Sequence, residues 1–455
     1  MPAITRMSKP LTLAAMSLGF VVVQLDVTIV NVALPHIGSA LGAGVAGLQW
    51  VVNAYTLVFA AAILTAGALG DRFGAKRCFI VGFVVFTLSS LGCGLAPNLA
   101  ILVAARAVQG LGAAILVPCS LALLNHAFHD EHERTKAIGI WAAGASAALA
   151  AGPVVGGGLI AVIGWRSIFF VNLPLGVFGI WLTWRYAEES TQTRGRALDL
   201  AGQFIGMFAL ADLAAAMIEG GAVGWTHPLV LAAFLLFVLA AVTFVFVEIK
   251  SQAPMLPLSL FKNQTFSATT LIGLLMNTAF YGLIFMFSLY FQQVKNYTPL
   301  ATGMAFLPMT VIVLLANLSV GPIATRLGLR MPILIGQVLL AIGCLALIGI
   351  SQNTSYKALC LQLLAMGAGV GLTVPPMTSA LLGTVGAKLS GVASGVLNAS
   401  RQAGSVIGVA LFGSLIERHR PFIPGIRGAL MISVGVLVAG CLSAFLIQPE
   451  DRRRS

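Results

Sequence analysis

The chain is written in long apolar runs separated by short segments rich in charge, Pro and Gly. A helix crosses the hydrocarbon core of a bilayer with about 20 predominantly apolar residues, and fourteen runs reach that scale. The first seven fall at 11–34, 48–69, 78–96, 99–124, 136–162, 167–185 and 199–218. The others fall at 228–247, 266–291, 303–324, 332–350, 357–382, 391–416 and 427–447. The pattern predicts an all-α polytopic membrane protein, and an even count of spans returns both termini to one side. The first run follows Arg6 and Lys9 as a secretory signal would. It is long, holds Asp26 and lacks a small-residue cleavage site behind a short apolar stretch, so it reads as a retained helix.

Composition agrees and excludes alternatives. Of 455 residues, 58% are hydrophobic and 9% charged, against roughly 25% charged in a soluble domain. Too little polar surface remains for a water-facing fold. No G-x-x-x-x-G-K-[ST] loop occurs, so a nucleotide-hydrolysing module is excluded. The six cysteines lie in or at the rims of spans with no C-x-x-C among them. They read as small packing residues, and no disulfide framework, metal or cofactor is expected.

The net charge of +12 raises nucleic acid as a partner until its distribution is considered. The N-terminus, the C-terminal tail and the loops at 70–77, 125–136, 185–198, 248–265, 325–331 and 383–390 hold 18 of the 26 Lys and Arg. The opposite loops hold six, and Arg106 and Arg401 lie inside spans. By the positive-inside rule both termini are cytoplasmic; the charge is a topology signal, and no nucleic acid is expected. Trp50, Trp165 and Trp225 at outer ends and Trp184 at an inner one fit an interfacial belt.

An internal repeat is visible. Gly67, Arg72, Gly74 and Gly82 recur as Gly321, Arg326, Gly328 and Gly336, and Gly110, Gly112 and Pro118 as Gly367, Gly369 and Pro375. Gly139 and Gly152 recur as Gly395 and Gly408. The nearly constant offset predicts two six-helix bundles, 1–190 and 260–455, flanking a linker with two inserted helices at 191–259. Repeated halves are a common transporter construction with the substrate site between them. Charge chemistry at membrane depth is concentrated in the first half, since no acidic residue lies between Glu248 and Glu417.

Several segments carry a family likeness: LDVTIVNVALP (25–35), GALGDRFGAKR (67–77), LVAARAVQGLGAA (102–114), GPVVGG (152–157) and GWRSIFFVNLPLG (164–176). In this order they resemble the major facilitator superfamily, most closely the fourteen-span drug:proton antiporters of the QacA/EmrB type. The resemblance spans essentially the whole chain. It implies a multi-pass protein of the bacterial inner membrane that moves substrates by alternating access, and it implies antibiotic resistance by multidrug efflux. The family often works with a periplasmic adaptor, so such a partner is carried as an expectation, although nothing in the short outer loops demonstrates one.

Asp26 is the strongest candidate for chemistry. A carboxylate at the middle of a span is costly unless it faces protein or water, and it could exchange protons; a neutral Asp hydrogen-bonded within the bundle is the alternative. The resemblance gives it proton coupling and cation recognition. Gln24, Thr28 and Asn31 share one helical face, with Asp26 about 160–200° away, and either face could line a cavity. Arg106 stands three residues before Gln109 on one helical face; the resemblance implies a proton-relay or structural partner of a membrane carboxylate such as Asp26, and the alternative is an Arg capping carbonyls at a kink. Asp212, in the inserted pair, is a second protonatable candidate or a packing-satisfied carboxylate. Arg401 is placed to contact a substrate acid or Asp26, or else hydrogen-bonds backbone.

Asn53, Gln109, Asn277, Tyr281 and Phe285 complete the expected substrate-binding set with Asp26, Gln24, Asn31 and Arg401. The Met and aromatic side chains of the ninth span suit varied hydrophobic ligands and favour cations, or simply face lipid. In the 67–77 loop, Gly67, Asp71, Arg72, Gly74 and Arg77 form a gating motif that, by the resemblance, latches the two halves. On the fifth span Gly152, Pro153, Gly156 and Gly157 continue a small-residue stripe for close helix contact, which the resemblance reads as sealing against proton leak. His126, His129 and His132 read as a solvated loop rather than a metal site.

The sequence is therefore read as a non-enzymatic exporter of lipophilic, mainly cationic compounds in exchange for protons, embedded in the lipid bilayer. Two rivals stay open: export of one specific metabolite, peptide or siderophore, and a ligand sensor with a transporter fold.

Overall fold

The computed structural model describes residues 8–190, 199–251, 254, 256–386, 389–418 and 422–448, apart from the side chains of Ser8, Glu131, His132 and Thr135. Every expected span is a helix. They are α1 (Ser8–Leu41), α2 (Val45–Phe73), α3 (Ala75–Leu95), α4 (Leu99–Ala127), α5 (Glu131–Val162) and α6 (Ser167–Tyr186). An inserted pair follows, α7 (Leu200–Ala222) and α8 (Pro228–Lys250). The chain continues through α9 (Gln264–Leu289), α10 (Pro299–Leu327), α11 (Arg330–Ala346), α12 (Tyr356–Leu382), α13 (Ser390–Arg418) and α14 (Ile423–Ala444). Thirteen are long and apolar enough to cross a membrane, while α11 is shorter, at 17 residues. Of the charges behind the predicted topology, Arg6, Arg194, Arg196, Lys388, Arg420 and Arg452–Arg454 lie outside the described residues.

Helices α1–α6 pack on one another, as do α9–α14; the two groups meet where α5 lies on α10, α2 on α13 and α1 on α9. The inserted α7 rests against α2 and α13, and α8 packs mainly on α7 with its leucines and valines turned outward. The repeat in sequence is a repeat in contacts. A Cβ on Gly110 would run into the Tyr55 carbonyl, and one on Gly367 into the carbonyl of Met309, 254 positions on from Tyr55. Gly112 likewise lies against the Gly82 carbonyl and Gly369 against that of Gly336. Only glycine permits such backbone approach, so the same residues mark the same crossings in both groups. Gly74 (φ +98°) and Gly328 (φ +74°) close α2 and α10 with positive φ.

The two ends of the bundle differ. Opposite the basic loops, backbones touch across the two groups: Gly157 meets Pro299 and Leu300, and Gly303 meets Pro153 and Val154. Gln49 Nε2 donates to the Val409 and Ala410 carbonyls at 2.8 and 2.6 Å. A π turn at Tyr290–Val294 follows α9; there Gln292 Nε2 donates to the Val32 carbonyl at 2.9 Å, and Ser288 donates to that of Asn31. At the basic end, Gly139 on α5, Gly321 on α10 and Gly391 on α13 have open space where a Cβ would stand. The contacts that lock α5 to α10, α2 to α13 and α1 to α9 thus lie at the end opposite the basic loops.

Several basic residues at the closed end do structural work that their minority position leaves unexplained in the sequence. Arg166 donates to the Ala96 carbonyl at 3.0 Å, Arg427 to that of Ile350 at 3.2 Å, and Lys295 to those of Gln352 and Thr354 at 2.9 and 2.8 Å. These cations satisfy carbonyls that helix ends leave unpaired. Trp165 departs from the expected belt: it is buried, edge-on to Phe169, with Arg166 over its ring.

Candidate functional site

Asp26 and Arg106 meet. Arg106 Nη1 lies 2.5 Å from Asp26 Oδ2, and both side chains are sealed inside the first group, 1% and 0% exposed. Three further polar groups converge on the pair. Gln109 Oε1 accepts from the same Nη1 at 2.6 Å while its Nε2 donates to Asp26 Oδ1 at 2.9 Å and to Ser90 Oγ at 2.8 Å. Asn172 Nδ2 donates to Asp26 Oδ1 at 3.2 Å, and Arg106 Nε donates to the Val51 carbonyl at 3.2 Å. A buried ion pair persists only when its remaining lone pairs and protons are met, and this network meets them from α1, α2, α3, α4 and the start of α6. The Tyr55 ring covers the guanidinium, 4.3 Å from its centre.

The helical faces left open by the sequence are now distinguished. Asp26 turns into the first group. Asn31, on the other side of α1, lines a narrow cavity between the groups with Val27, Val30, Tyr55, Thr56 and Arg106 on one wall. Tyr281, Gln402, Ser405 and Val409 form the other wall. Its free space is about that of a single water. Arg106 thus joins the carboxylate behind the wall to the cavity before it. A second cavity lies between Thr28, Asn31, Pro153, Phe306, Met309 and Thr310.

The other candidates distribute unevenly. Asn53 is fully buried with neither amide atom bonded. Asn277 donates to the Arg401 carbonyl at 2.9 Å, tying α9 to α13. Phe285 is wholly buried and lines neither cavity; with Met276, Phe280 and Met286 it packs core, so α9 is not a lipid-facing aromatic surface. Gln24 is half-buried. Arg401 does not reach Asp26, whose cation is Arg106. Asp212 stands on α7, outside the helices that build the pair.

The stripe on α5 serves two neighbours. Gly144 faces Val21, Gly152 faces Thr28 and Gly156 faces Ile29, all on α1, while Pro153 and Gly157 face α10. In the gating motif, Gly74 opens a pocket at the N-terminus of α3 that Glu189 fills. Glu189 accepts from Lys76 N at 2.8 Å and Arg77 N at 3.3 Å, and lies 3.8 Å from Arg77 Nε. Ser190 Oγ accepts from Ala75 N. An anion there is favoured by the free N–H groups and the helix dipole. These bonds hold the motif to the end of α6 in its own group. Gly67 approaches Pro118, and Asp71 and Arg72 are exposed, the latter over the Phe73 ring.

Sequence reasoning missed Ser90, Tyr55, Asn172 and Glu189. Asn172 stood within a quoted motif, and Tyr55 is two residues from Asn53; Ser90 and Glu189 carried no signal. His126 and His129 lie with ring centres 6.0 Å apart, and the His132 side chain is outside the described residues.

Residues 16–409 match the family model described as Major Facilitator Superfamily. The chain is 40% identical to the multidrug resistance protein Stp of Mycobacterium tuberculosis, over 89% of this chain and 75% of that protein. It is 37% identical to the methylenomycin A resistance protein of Bacillus subtilis, over 96% and 93%. Among solved structures, the nucleoside transporter NupG superposes with a TM-score of 0.68 at 11% identity, covering 96% of this chain and 99% of that one.

Proposed function

The chain belongs to the major facilitator superfamily, a family of membrane transporters and not of enzymes, and on that premise we propose that it exports lipophilic drug-like compounds, cations among them, in exchange for protons. The relatives named for drug resistance support efflux. The observation that carries the proton coupling is the sealed Asp26–Arg106 pair with its cation on the cavity wall. While Asp26 is ionised, the pair is neutral and a cation in the cavity meets little repulsion. A proton on Asp26 leaves Arg106 uncompensated. Unit charges about 7 Å apart interact by about 2.4 kcal/mol at an effective dielectric near 20, within the range of typical coupling free energies. Proton and cation then exclude one another, which is the requirement for exchange.

The boundaries 1–190, 191–259 and 260–455, cytoplasmic termini and a bacterial plasma-membrane location belong to the same proposal, supported by the repeat and the charge bias. The gating loop and the α5 stripe are proposed to govern the change of access, and Asp212 is left outside the coupling path. A periplasmic adaptor is not included.

Proteoliposomes with an acid interior and a trapped pH dye test this reading. Addition of ethidium or a quaternary ammonium compound is expected to release protons from the parent protein and not from Asp26→Asn. Equal release from both would remove Asp26 from the coupling, and no release from either across a broad panel would sink the exchange.

A further inference from the structure

The second group contains a charge that the coupling pair does not use. Arg401 lies about eleven residues into α13, near the middle of the span. Its aliphatic stem runs over Gly273 of α9. Its Nε is buried with no hydrogen-bond partner, and among the described residues no carboxylate lies within ion-pair distance of it. None is near in sequence either, since residues 249–416 contain no Asp or Glu. A cation at this depth is costly, and such residues pair with each other, with carbonyls or with what passes through. Tyr281 on α9 lines the cavity beside α13. The next residue, Gln402, and Ser405 one turn on are in the cavity wall.

We propose that Arg401, with Tyr281 and Gln402 beside it, forms a donor subsite that holds a carboxylate or carbonyl oxygen of the transported compound. This rests on the export reading and deepens it: the cationic part of a compound exchanges with the proton at the Asp26–Arg106 pair while its acceptor is held at Arg401. Arg106 is neutralised by Asp26, so Arg401 supplies the uncompensated charge next to the cavity. A lipophilic compound bearing an acid or a carbonyl satisfies that charge; a simple quaternary ammonium compound does not. Cationic and amphoteric compounds that also carry an acid or carbonyl acceptor are therefore preferred over plain cations. The planar guanidinium suits a carboxylate in two-point fashion, which a lysine cannot reproduce.

Binding of naphthoate, naphthylmethanol and a naphthylmethyl-trimethylammonium ion to the purified full-length protein in nanodiscs tests this. Naphthoate is expected to bind roughly tenfold or more tighter than the alcohol, as a charge-assisted hydrogen bond implies, and the ammonium ion more weakly than either. Arg401→Gln should erase the preference for naphthoate while leaving naphthylmethanol binding intact, and Arg401→Lys should retain part of it. Equal affinities for naphthoate and the alcohol in the parent would overturn the subsite. So would a preference that survives Arg401→Gln, or a uniform loss of all three ligands in both variants, which would mark a structural arginine. Because binding needs no gradient, an intact preference with no proton release would reject the exchange reading and leave the subsite standing.

Discussion

At the scale of single residues, the Asp26–Arg106 pair is expected to be energetically asymmetric. Removing one partner of a buried pair strands the other charge, typically at a cost of about 3–5 kcal/mol, whereas removing both can be nearly neutral. Arg106→Leu should accordingly lower the thermal unfolding midpoint in detergent sharply. Adding Asp26→Asn to it should recover much of the loss, because Asn172 and Gln109 can still bond a neutral amide. A double variant as unstable as Arg106→Leu alone would mean that the arginine is needed for its contacts to Val51 and Tyr55 rather than for its charge. The two charges were legible in the sequence because each stands inside an apolar run, but Arg106 and Arg401 were both open as partners of Asp26, and only the packing of α1 against α4 chooses between them. The pair's environment was not legible: Ser90 is one of many serines that in isolation read as small packing residues. That Asp26 faces the bundle and Asn31 the cavity depends on how α1 is rotated against its neighbours.

At the scale of elements, the crossing of α5 and α10 is where close packing and access meet. The positions of all fourteen helices could be read from apolar run length, because the bilayer sets a minimum span, and the repeat of glycines marked which helices cross closely. The sequence was silent on which end of the crossing is shut, since the same glycines serve both states of a rocking pair. Gly157 bears on this directly: a Cβ there would come within 2.5 Å of the Pro299 carbonyl, closer than real Cβ contacts. Gly157→Val should push α10 away and shift the population toward opening at that end. Spin labels at Gly158, which faces open space, and Met304, which is half exposed, would report it by double electron–electron resonance. The expected change is a distance distribution several ångströms longer than the parent's, and an unchanged distribution would show that this contact does not control the seal.

At the scale of the whole molecule, orientation and closure are coupled, because the end where the two groups are locked together lies opposite the basic loops. If the positive-inside bias sets topology, the locked end faces outward, as an exporter requires when it is ready to load from the cytoplasm. That combination makes a prediction neither feature makes alone. With the partly exposed Cys360 and Cys441 replaced by serine, a cysteine introduced at Gly321 or Gly391 should react with a membrane-impermeant maleimide in inside-out vesicles and not in whole cells. A cysteine at Gly158 should show the reverse side preference. Labelling of the Gly321 and Gly391 sites from outside would reverse the topology and put the locked end on the cytoplasmic side. The outcome bears on the sign of transport as well as on shape. Asp26 can drive export only if the proton reaches it from the side opposite to substrate, so the path past Gln49, Ser288 and Gln292, closed here, must be the one that opens to admit it.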